Sequence, residues 1–328
     1  MAAKPDVILM GPPKPLIVRG LEAICTVHKT ADAKDREAFY AANSAVRALA
    51  VVAPIDRVSD AFMSRFPKLE IISSFGVGYD HVDAKWAGAH GITVTNTPEV
   101  LTEEVADTAL GLLLCTVREL PQAERYVRAG KWLDKGFHLT RATLRNRTVG
   151  MVGMGAIGQA IARRLDAFRV PVVYHTRSKR AELPYRHYPD LIEMARDVDT
   201  LIVIVPGGTA TQNMINAQVL EALGQNGIVI NMARGSVVDE PALIKALADK
   251  SIMAAGLDVF AKEPQVPAEL LAMDNVVLLP HVGSASVFTR DKMDQLVVDN
   301  IAAWVAGKPP LTPVAETPWH GSWRAWKG

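Results

Sequence analysis

The feature that most restricts the fold of this chain is the spacing of three glycines in GMGAIG, residues 153–158. Gly153, Gly155 and Gly158 follow the strand-like run TVGMV and precede the helical stretch AIGQAIARRLDAF. In that context the first glycine permits a tight turn, the second lets the backbone approach a pyrophosphate, and the third allows close helix–strand packing. The N–H groups at the start of the helix then face the anion. The pattern predicts a dinucleotide-binding domain.

The stretch VVYHTRSKR, residues 172–180, ends the second predicted strand of this domain, where an NAD-binding fold carries an acid for the ribose hydroxyls. His175 stands there instead, and after Asp166 the next acidic residue is Glu182. A carboxylate would repel a 2′-phosphate, whereas the cations and hydroxyls of residues 176–180 would bind it through charge-assisted hydrogen bonds. The stretch predicts NADP(H) as the cofactor, with NAD(H) used at lower efficiency. The alternative interpretation is a solvated basic loop.

Short apolar runs alternate with helical stretches along the chain, as expected for parallel sheets with crossover helices. Strand-like runs before residue 100 lie at 6–11, 47–52, 69–76 and 91–96. A second series lies at 147–153, 170–175, 200–206, 227–233, 254–260 and 275–281. The predicted fold class is α/β, with two Rossmann-like or flavodoxin-like domains built on doubly wound parallel sheets. The length of 328 residues also suits two domains.

Capping residues predict where several helices begin and end. Residues 29–46 have a helical pattern, and the stretch from 102 to 120 follows an N-cap at Thr102 and ends at Pro121. The last helical segment ends at Gly307, before two prolines. Beyond it, three tryptophans at helix-like spacing indicate either a partly ordered end or a tail that docks on its own or a neighbouring subunit: Trp319, Trp323 and Trp326.

The composition argues against several classes of protein. The formal net charge is +1, which gives no support for nucleic-acid binding. No apolar run is long enough to cross a bilayer, and the N-terminus does not resemble a signal peptide. The two cysteines, Cys25 and Cys115, are far apart and do not form a disulfide framework, so we expect a reducing, cytoplasmic location. We expect no metal site.

Three further stretches follow strand-like runs, at the end where open α/β sheets bind ligands. NMARGSVVDE contains Arg234, LDVFAKEP contains Asp258 and Glu263, and LLPHVGSAS contains His281. A histidine that titrates near neutrality, a carboxylate that orients it and an arginine that holds an acid substrate suit carbonyl–alcohol chemistry. Taken singly, Arg234 suits a loop salt bridge equally well, Glu263 a solvated turn, and His281 a hydrogen bond to backbone.

The ordered set SFGVGYDHVD, GMGAIG, NMARGSVVDE, AAGLDVFAKEP and LLPHVGSAS resembles the D-isomer-specific 2-hydroxyacid dehydrogenase family, up to about Pro313. The resemblance implies a cofactor domain at 101–286 inserted into a substrate domain formed by 1–100 and 287–328. YHTRSKR resembles the NADPH-preferring glyoxylate/hydroxypyruvate reductases and the related hydroxyphenylpyruvate reductases. The implied activity is hydride transfer from NADPH to small 2-keto acids, which gives D-2-hydroxy acids.

The resemblance also implies a role for each member of the acid–base set. Arg234 would bind the 2-keto carboxylate and polarise the carbonyl group. His281 would give its proton to the carbonyl oxygen, and Glu263 would hydrogen-bond His281 and favour its protonated form. Backbone N–H groups around Val77 and Gly78 would grip the substrate carboxylate, because the neighbouring glycines allow a close approach.

Asp258 would contact the nicotinamide side of the cofactor. The residues predicted to bind the cofactor are Gly153, Gly155, Ala156, Ile157, Gly158, Thr176, Arg177, Ser178, Lys179, Arg180, Pro206, Thr211, Met232, Ala233, Arg234, Asp258, His281 and Gly283. The residues predicted to bind the substrate are Val77, Gly78, Arg234 and His281.

The basic stretch at 128–150 resembles the loop through which dimers of the family embrace. It implies a homodimer formed through the cofactor domain, with a residue near Phe137 reaching the partner's substrate pocket.

Glu263 argues against a formate dehydrogenase, which resembles this chain but has glutamine at that position. Two alternatives stay open. One is a dinucleotide-sensing protein that resembles the C-terminal-binding corepressors, and the other is a dehydrogenase of the same fold that acts on a phenylpyruvate-type or inorganic substrate.

Overall fold

The structure is a computed structural model, and it describes residues 4–53, 57–319 and 321. The chain divides into two compact units. We call Met1–Leu101 with Ser286–Gly328 the split unit, and Thr102–Ala285 the inserted unit. Each unit is built on one parallel β-sheet, of five strands in the split unit and seven in the inserted unit. The predicted fold class, two α/β domains with one inserted into the other, is confirmed.

The split unit has a five-stranded sheet in the order β2-β1-β3-β4-β5. Its strands are β1 (Asp6–Met10), β2 (Thr26–Lys29), β3 (Ala48–Val51), β4 (Ile71–Ser74) and β5 (Thr93–Thr95). Its helices are α1 (Pro15–Ile24), α2 (Arg36–Ala42), α3 (Asp60–Met63), α4 (Ala84–Ala89) and α12 (Val287–Val305). The central strands β3 and β4 are buried along their whole length, as strands covered by helices on both faces must be.

Two expectations for the split unit were wrong. The sequence did not predict β2, because this edge strand pairs only with β1 and its residues TVHK are partly exposed rather than apolar. The continuous helix expected over 29–46 is also interrupted. Residues 30–32 form a single 3₁₀ turn, and α2 begins only after Asp35, whose side chain accepts a hydrogen bond from the Ala38 N–H at 3.2 Å.

The inserted unit has a seven-stranded sheet in the order β12-β11-β10-β9-β6-β7-β8. Its strands are β6 (Val149–Val152), β7 (Val172–His175), β8 (Arg186–Tyr188), β9 (Thr200–Val203), β10 (Ile228–Asn231), β11 (Ala254–Leu257) and β12 (Val276–Leu278). Its helices are α5 (Thr102–Arg118), α6 (Leu120–Arg128), α7 (Ala156–Ala167), α8 (Leu191–Asp197), α9 (Ala217–Leu223), α10 (Glu240–Ala248) and α11 (Ala268–Ala272). All pairs are parallel, so the carboxyl ends of the seven strands share one edge.

Three details of the inserted unit differ from expectation. The sheet has a seventh strand, β8, which is three residues long and lies at an edge, so its sequence has no apolar run to reveal it. Thr102 is the first residue of α5 rather than its N-cap. Pro121 lies in the first turn of α6, where its missing N–H costs no hydrogen bond, instead of ending α5.

Within the described residues, no helix combines the length and apolar character needed to cross a membrane. The last helix, α12, ends before Gly307, which has a φ of 68° and so continues the chain in the left-handed region. Trp323 and Trp326, on which the expectation about the C-terminal tail depends, lie outside the described residues.

Candidate active site

The glycine loop, residues 153–158, connects β6 to α7. Gly153 has a φ of 103°, and a Cβ there would lie 2.6 Å from the Ile204 carbonyl oxygen. A Cβ on Gly158 would lie 2.6 Å from the Gly153 carbonyl oxygen. Apart from its immediate chain neighbours, no described residue lies within 4 Å of a Cβ built on Gly155. The first and third glycines are therefore required by the protein's own packing, whereas the second leaves open space beside the backbone.

The N-terminus of α7 suits an anion. Gly155 stands at the N-cap position, and among the described residues no side chain caps the helix there. The first turn contains no acidic residue. The N–H groups of Ala156 and Ile157 belong to the first turn, where a helix has no carbonyl partners of its own. The open side of Gly155 and these N–H groups together fit a pyrophosphate.

The basic turn, residues 176–180, follows the carboxyl end of β7. Arg177 and Lys179 are exposed, and neither has an ion-pair partner in the described part of the chain. Arg180 lies 3.8 Å from the Glu182 carboxylate. The Thr176 hydroxyl donates to the Ser178 carbonyl oxygen at 2.7 Å, so in this structure its proton shapes the turn. The turn thus presents two unpaired cations at the site expected for a 2′-phosphate.

Strand β8, which the sequence did not reveal, holds the start of this turn. The His187 ring donates from Nε2 to the Thr176 carbonyl oxygen at 2.9 Å. The His175 ring, at the end of β7, donates from Nδ1 to the Tyr188 carbonyl oxygen at 2.9 Å. The Arg180 N–H donates to the hydroxyl of the buried Tyr174 at 2.9 Å, which closes the turn. Both ends of the basic turn are therefore attached to the sheet.

His281 and Glu263 form a hydrogen-bonded pair, with His281 Nδ1 2.7 Å from Glu263 Oε2. The other carboxylate oxygen of Glu263 accepts the Phe260 N–H at 3.1 Å, which fixes the orientation of the carboxylate. Partial burial raises the pKa of Glu263, but the hydrogen bond and charge of His281 together with the charge of Arg234 outweigh it. The pKa of Glu263 therefore lies below its usual value. The His281 side chain is 47% exposed, so its other ring nitrogen can meet a ligand.

Arg234 lies just beyond β10, and Gly235 explains how it comes near Glu263. A Cβ on Gly235 would lie 1.9 Å from the Phe260 carbonyl carbon, so only glycine permits this approach of two backbones. The Asn231 side chain donates to the Arg234 carbonyl oxygen at 3.1 Å. The charge of Arg234 contributes to the lowered pKa of Glu263. Three separate stretches of sequence thus meet in the inserted unit.

Asp258 is buried, and its two carboxylate oxygens accept the N–H groups of Val282 at 2.7 Å and Gly283 at 2.8 Å. Burial raises the pKa of Asp258, and these two N–H groups and the charge of His281 oppose that rise. His281 itself has a φ of 53°, and its N–H donates to the Asp258 carbonyl oxygen at 2.9 Å. Asp258 therefore holds the loop that carries His281. The sequence did not indicate this role, because nothing in its spacing signals a carboxylate that binds backbone.

The remaining predicted cofactor residues of the inserted unit also follow strands. Thr211 donates from its hydroxyl to the Pro206 carbonyl oxygen at 2.6 Å, which closes the turn after β9. Met232 and Ala233 follow β10 and are buried. Because the strands are parallel, these positions and Gly283 lie along the same edge as the glycine loop. Among the described residues, no group of His, Cys, Asp or Glu could hold a metal ion.

Val77 and Gly78 belong to the split unit. They lie in the segment after β4 that we call the β4 loop, residues 75–79. Gly76 has a φ of 120°, a conformation that L-residues rarely adopt. The Tyr79 hydroxyl donates to the Glu316 carboxylate at 2.9 Å, and burial followed by this hydrogen bond raises the pKa of Tyr79 to about 12. The Tyr79 side chain therefore anchors the C-terminal end of the loop.

Residues 110–283 match the family described as D-isomer specific 2-hydroxyacid dehydrogenase, NAD binding domain. Glyoxylate/hydroxypyruvate reductase A of Arabidopsis thaliana is 47% identical over 266 residues, which cover 81% of this chain and 85% of that protein. The 2-ketogluconate reductase of Gluconobacter oxydans is 39% identical over 314 residues, which cover 96% of this chain and 100% of that protein.

Among solved structures, an NADPH-dependent glyoxylate/hydroxypyruvate reductase from Sinorhizobium meliloti, in complex with NADP and malonate, superimposes with a TM-score of 0.93. It is 50% identical, and the match covers 99% of this chain and 100% of that one. The likeness therefore extends over both units and is not restricted to the glycine loop. The chain belongs to the D-isomer specific 2-hydroxyacid dehydrogenase family.

Proposed function

We propose that this protein reduces small 2-keto acids, such as glyoxylate and hydroxypyruvate, to D-2-hydroxy acids with NADPH. The observation that carries the proposal is the 2.7 Å pair of His281 and Glu263, which lies near Arg234 in the unit that also contains the glycine loop. An acid–base group, a cation for a carboxylate and a dinucleotide site are the parts that such a reduction requires. The names of the relatives described above support the same substrate class.

We propose that the inserted unit binds NADPH. When bound, the dinucleotide supplies the hydride. The glycine loop would hold its pyrophosphate against the N-terminus of α7. Arg177 and Lys179, which lack ion-pair partners among the described residues, would hold the 2′-phosphate.

His281 would supply the proton. An ionised carboxylate only accepts hydrogen bonds, so Glu263 holds the proton on Nδ1 and leaves Nε2 to donate to the substrate carbonyl oxygen. As the carbonyl carbon receives the hydride, its oxygen takes the Nε2 proton, and His281 becomes neutral. Solvent can return that proton, because the His281 side chain is about half exposed. Glu263 stabilises the charged imidazolium before the transfer.

Arg234 would bind the substrate carboxylate. A guanidinium can donate two parallel hydrogen bonds to a carboxylate, which fixes both its position and its plane. We propose that the N–H groups of Val77 and Gly78, in the split unit, also bind a substrate carboxylate. Fixing the carboxylate orients the adjacent carbonyl group for both transfers.

A substrate panel tests the proposal. The oxidation of NADPH and of NADH is followed with glyoxylate, hydroxypyruvate, 2-ketogluconate, hydroxyphenylpyruvate and a simple aldehyde that lacks a carboxylate. We expect turnover of one or more of the 2-keto acids, a higher kcat/KM with NADPH, and little turnover of the aldehyde. Tight NADPH binding without turnover of any 2-keto acid would favour a dinucleotide-sensing protein. Reduction of NADP⁺ by phosphite would favour the inorganic substrate instead.

We also propose that the protein forms a homodimer through the arm segment, residues 120–145. Helix α6 has no buried residue, and exposed apolar side chains concentrate in this segment: Leu120, Val127, Trp132, Leu133 and Leu139. Leu133 is 93% exposed and Leu139 is 94% exposed. Such a concentration of apolar surface is typical of an interface. Phe137, which packs edge-on against Tyr126 with ring centroids 5.4 Å apart, would be the part of the arm that reaches the partner's substrate pocket.

Sedimentation tests the dimer. Leu139→Asp should give a monomer, because a charge at the centre of an apolar interface is strongly unfavourable. The control is Leu271→Asp, at an apolar residue of the same unit that is 66% exposed and lies outside the arm segment. A monomeric wild type, or equal sedimentation of both variants, would contradict the dimer.

We also propose a cytoplasmic location. The two unpaired cysteines support it, and cell fractionation can check it.

A further inference from the structure

Two adjacent N–H groups of the β4 loop have no acceptor in the part of the chain that the structure describes. Among the described residues, neither the Val77 N–H nor the Gly78 N–H makes a hydrogen bond. Both residues are partly buried. A partly exposed N–H without a protein acceptor can donate to a ligand, so two adjacent N–H groups of this kind offer a place for an acceptor from outside the chain.

The carbonyl groups that precede these N–H groups are both anchored, and by consecutive residues. The Gly76 carbonyl oxygen accepts the Thr97 N–H at 2.9 Å. The Val77 carbonyl oxygen accepts the Asn96 side-chain amide at 2.8 Å. Thr97 makes a second contact, because its hydroxyl oxygen accepts the Gly76 N–H at 2.9 Å. Residues 96 and 97 follow β5, the neighbour of β4 in the sheet.

Anchoring a carbonyl group also fixes the direction of the next N–H. A peptide unit is planar and trans, so its C=O and its N–H point in opposite directions. The peptide between Gly76 and Val77 and the peptide between Val77 and Gly78 both direct their oxygens toward residues 96–97. The N–H groups of Val77 and Gly78 must therefore both point the other way, side by side. This parallel arrangement matches the two oxygens of one carboxylate.

Asn96 is in turn held by the C-terminal part of the split unit. The Thr312 hydroxyl donates to the Asn96 carbonyl oxygen at 2.6 Å, and the Asn96 N–H donates to the Thr312 carbonyl oxygen at 3.3 Å. The Asn300 side chain of α12 accepts the N–H groups of Leu311 and Thr312 at 2.9 and 3.2 Å and donates to the Thr312 hydroxyl at 2.9 Å. Asn96 is 9% exposed and Thr97 is fully buried. The anchor is therefore rigid.

We propose that Asn96 and Thr97 are positioning residues for the substrate carboxylate. Asn96 holds the Val77 carbonyl group, and this keeps the Gly78 N–H aligned with the Val77 N–H. The inference rests on the proposed function, in which these two N–H groups bind the carboxylate. Without the Asn96 amide, the peptide between Val77 and Gly78 can rotate and one of the two N–H groups is lost to the ligand.

The test compares Asn96→Ala with Asn43→Ala. Asn43 makes a similar bond in the same unit, from its side-chain amide to the Phe39 carbonyl oxygen at 2.8 Å, but lies outside the β4 loop and its anchor. For Asn96→Ala we expect KM for the 2-keto acid to rise about tenfold, with kcat and the KM for NADPH nearly unchanged, because the lost contact binds substrate and transition state alike. Asn43→Ala should match the wild type in all three.

A purely structural role for Asn96 gives a different result. Partial unfolding lowers the concentration of active enzyme, so the apparent kcat falls and both KM values stay the same. That outcome, or an unchanged KM for the 2-keto acid, overturns the inference. If Asn96→Ala does not fold, Thr97→Val serves in its place. It removes only the acceptor for the Gly76 N–H while it keeps the side-chain shape, and we expect KM to rise roughly threefold.

Calorimetric titration with oxamate separates this inference from the proposed function. Oxamate has the carboxylate of a 2-keto acid but is not reduced, so its Kd reports the carboxylate site without turnover. A wild type that binds oxamate but reduces no 2-keto acid would end the proposed function, while a tenfold weaker Kd in Asn96→Ala would still support the inference. Equal oxamate Kd values in wild type and Asn96→Ala, or no binding to the wild type, would overturn it.

Discussion

The glycine loop and the β4 loop, which are both predicted to bind an anion, align their backbone N–H groups in two different ways. Both follow the carboxyl end of a parallel strand, and both contain a glycine in the left-handed region, with a φ of 103° at Gly153 and 120° at Gly76. The glycine loop continues directly into α7, a helix of 12 residues, so the helix itself aligns the N–H groups. The β4 loop has no helix behind it. Its N–H groups are aligned by Asn96 and Thr97, some 20 residues later in the chain.

The difference between the loops decides what each can tolerate. Alignment by a helix is local, and any residues that keep the turn and the helix preserve it. Alignment by Asn96 depends on one side-chain amide and on the segment that holds it, so a single substitution can remove it. We therefore expect changes in the glycine loop to alter cofactor binding and changes around the β4 loop to alter substrate binding. The acid–base pair belongs to neither loop.

The largest expected effect comes from His281→Ala, which sets the reference for the two loops. Loss of the proton donor should lower kcat by about 10²- to 10⁴-fold, while the Kd for NADPH stays near that of the wild type. The matched control is His28→Ala, because His28 also pairs with a carboxylate, 2.8 Å from Asp6 in the split unit. Steady-state kinetics and NADPH titration measure both quantities. A loss of NADPH binding parallel to the loss of kcat would place His281 in the cofactor site instead.

Arg177→Ala examines the basic turn that accompanies the glycine loop. If Arg177 binds the 2′-phosphate, the ratio of kcat/KM for NADPH to that for NADH should fall roughly 10- to 100-fold, mainly through NADPH. Arg186→Ala is the control, since this nearby cation on β8 stacks on Tyr188 at 4.3 Å and lies 3.9 Å from Asp197. Equal effects of the two variants would mean that only the general positive potential matters. A wild type that prefers NADH would refute the cofactor prediction.

The same comparison explains which parts of the molecule could be predicted from the sequence. The central strands were predicted because strands covered on both faces are continuous apolar runs, and the glycine loop because its pattern is contained in six residues. The edge strands β2 and β8 were missed because each pairs on one side only and carries polar residues. Local patterns are visible in a sequence, whereas pairing at the edge of a sheet depends on neighbours far away in the chain.

The contacts of the candidate site also divide into those that could be predicted from the sequence and those that could not. The sequence and the family resemblance indicated Glu263 and His281 as a pair, and the structure brings them within 2.7 Å. Neither indicated that Asp258 binds the N–H groups of the His281 loop, nor that Asn96 holds the Val77 carbonyl group. Both are bonds from a side chain to backbone between distant segments. Gly235 carried a readable signal, because a glycine directly after a candidate arginine suggests a close backbone approach.

Gly155→Ala tests whether the open side of the glycine loop serves the cofactor. The backbone angles of Gly155, φ −72° and ψ −165°, are accessible to alanine, and beyond its chain neighbours no residue among those described lies within 4 Å of the added Cβ. We expect the Tm to stay near that of the wild type and the KM for NADPH to rise about tenfold, because the methyl group would meet the pyrophosphate. In Gly158→Ala the Cβ would lie 2.6 Å from the Gly153 carbonyl oxygen. We therefore expect the free energy of unfolding to fall by roughly 1–3 kcal/mol, and the Tm to fall with it. Equal Tm losses in both variants would mean that Gly155 is also a packing residue.

The smallest expected effect is the pH dependence of stability that comes from the acid–base pair. The pKa of Glu263 is lower in the folded protein than its usual value of about 4.3. A carboxylate of this kind stabilises the fold above that value, and its contribution is lost as the pH falls through the folded pKa. The Tm of Glu263→Gln should therefore lie below that of the wild type near neutral pH, and the difference should shrink as the pH falls below the usual carboxylate pKa and vanish below the lowered pKa of the folded protein. Glu37→Gln, at an exposed pair with Arg65, should show little difference at any pH. A Tm difference for Glu263→Gln that persists unchanged into acid would mean that Glu263 stabilises the loop through its shape rather than its charge.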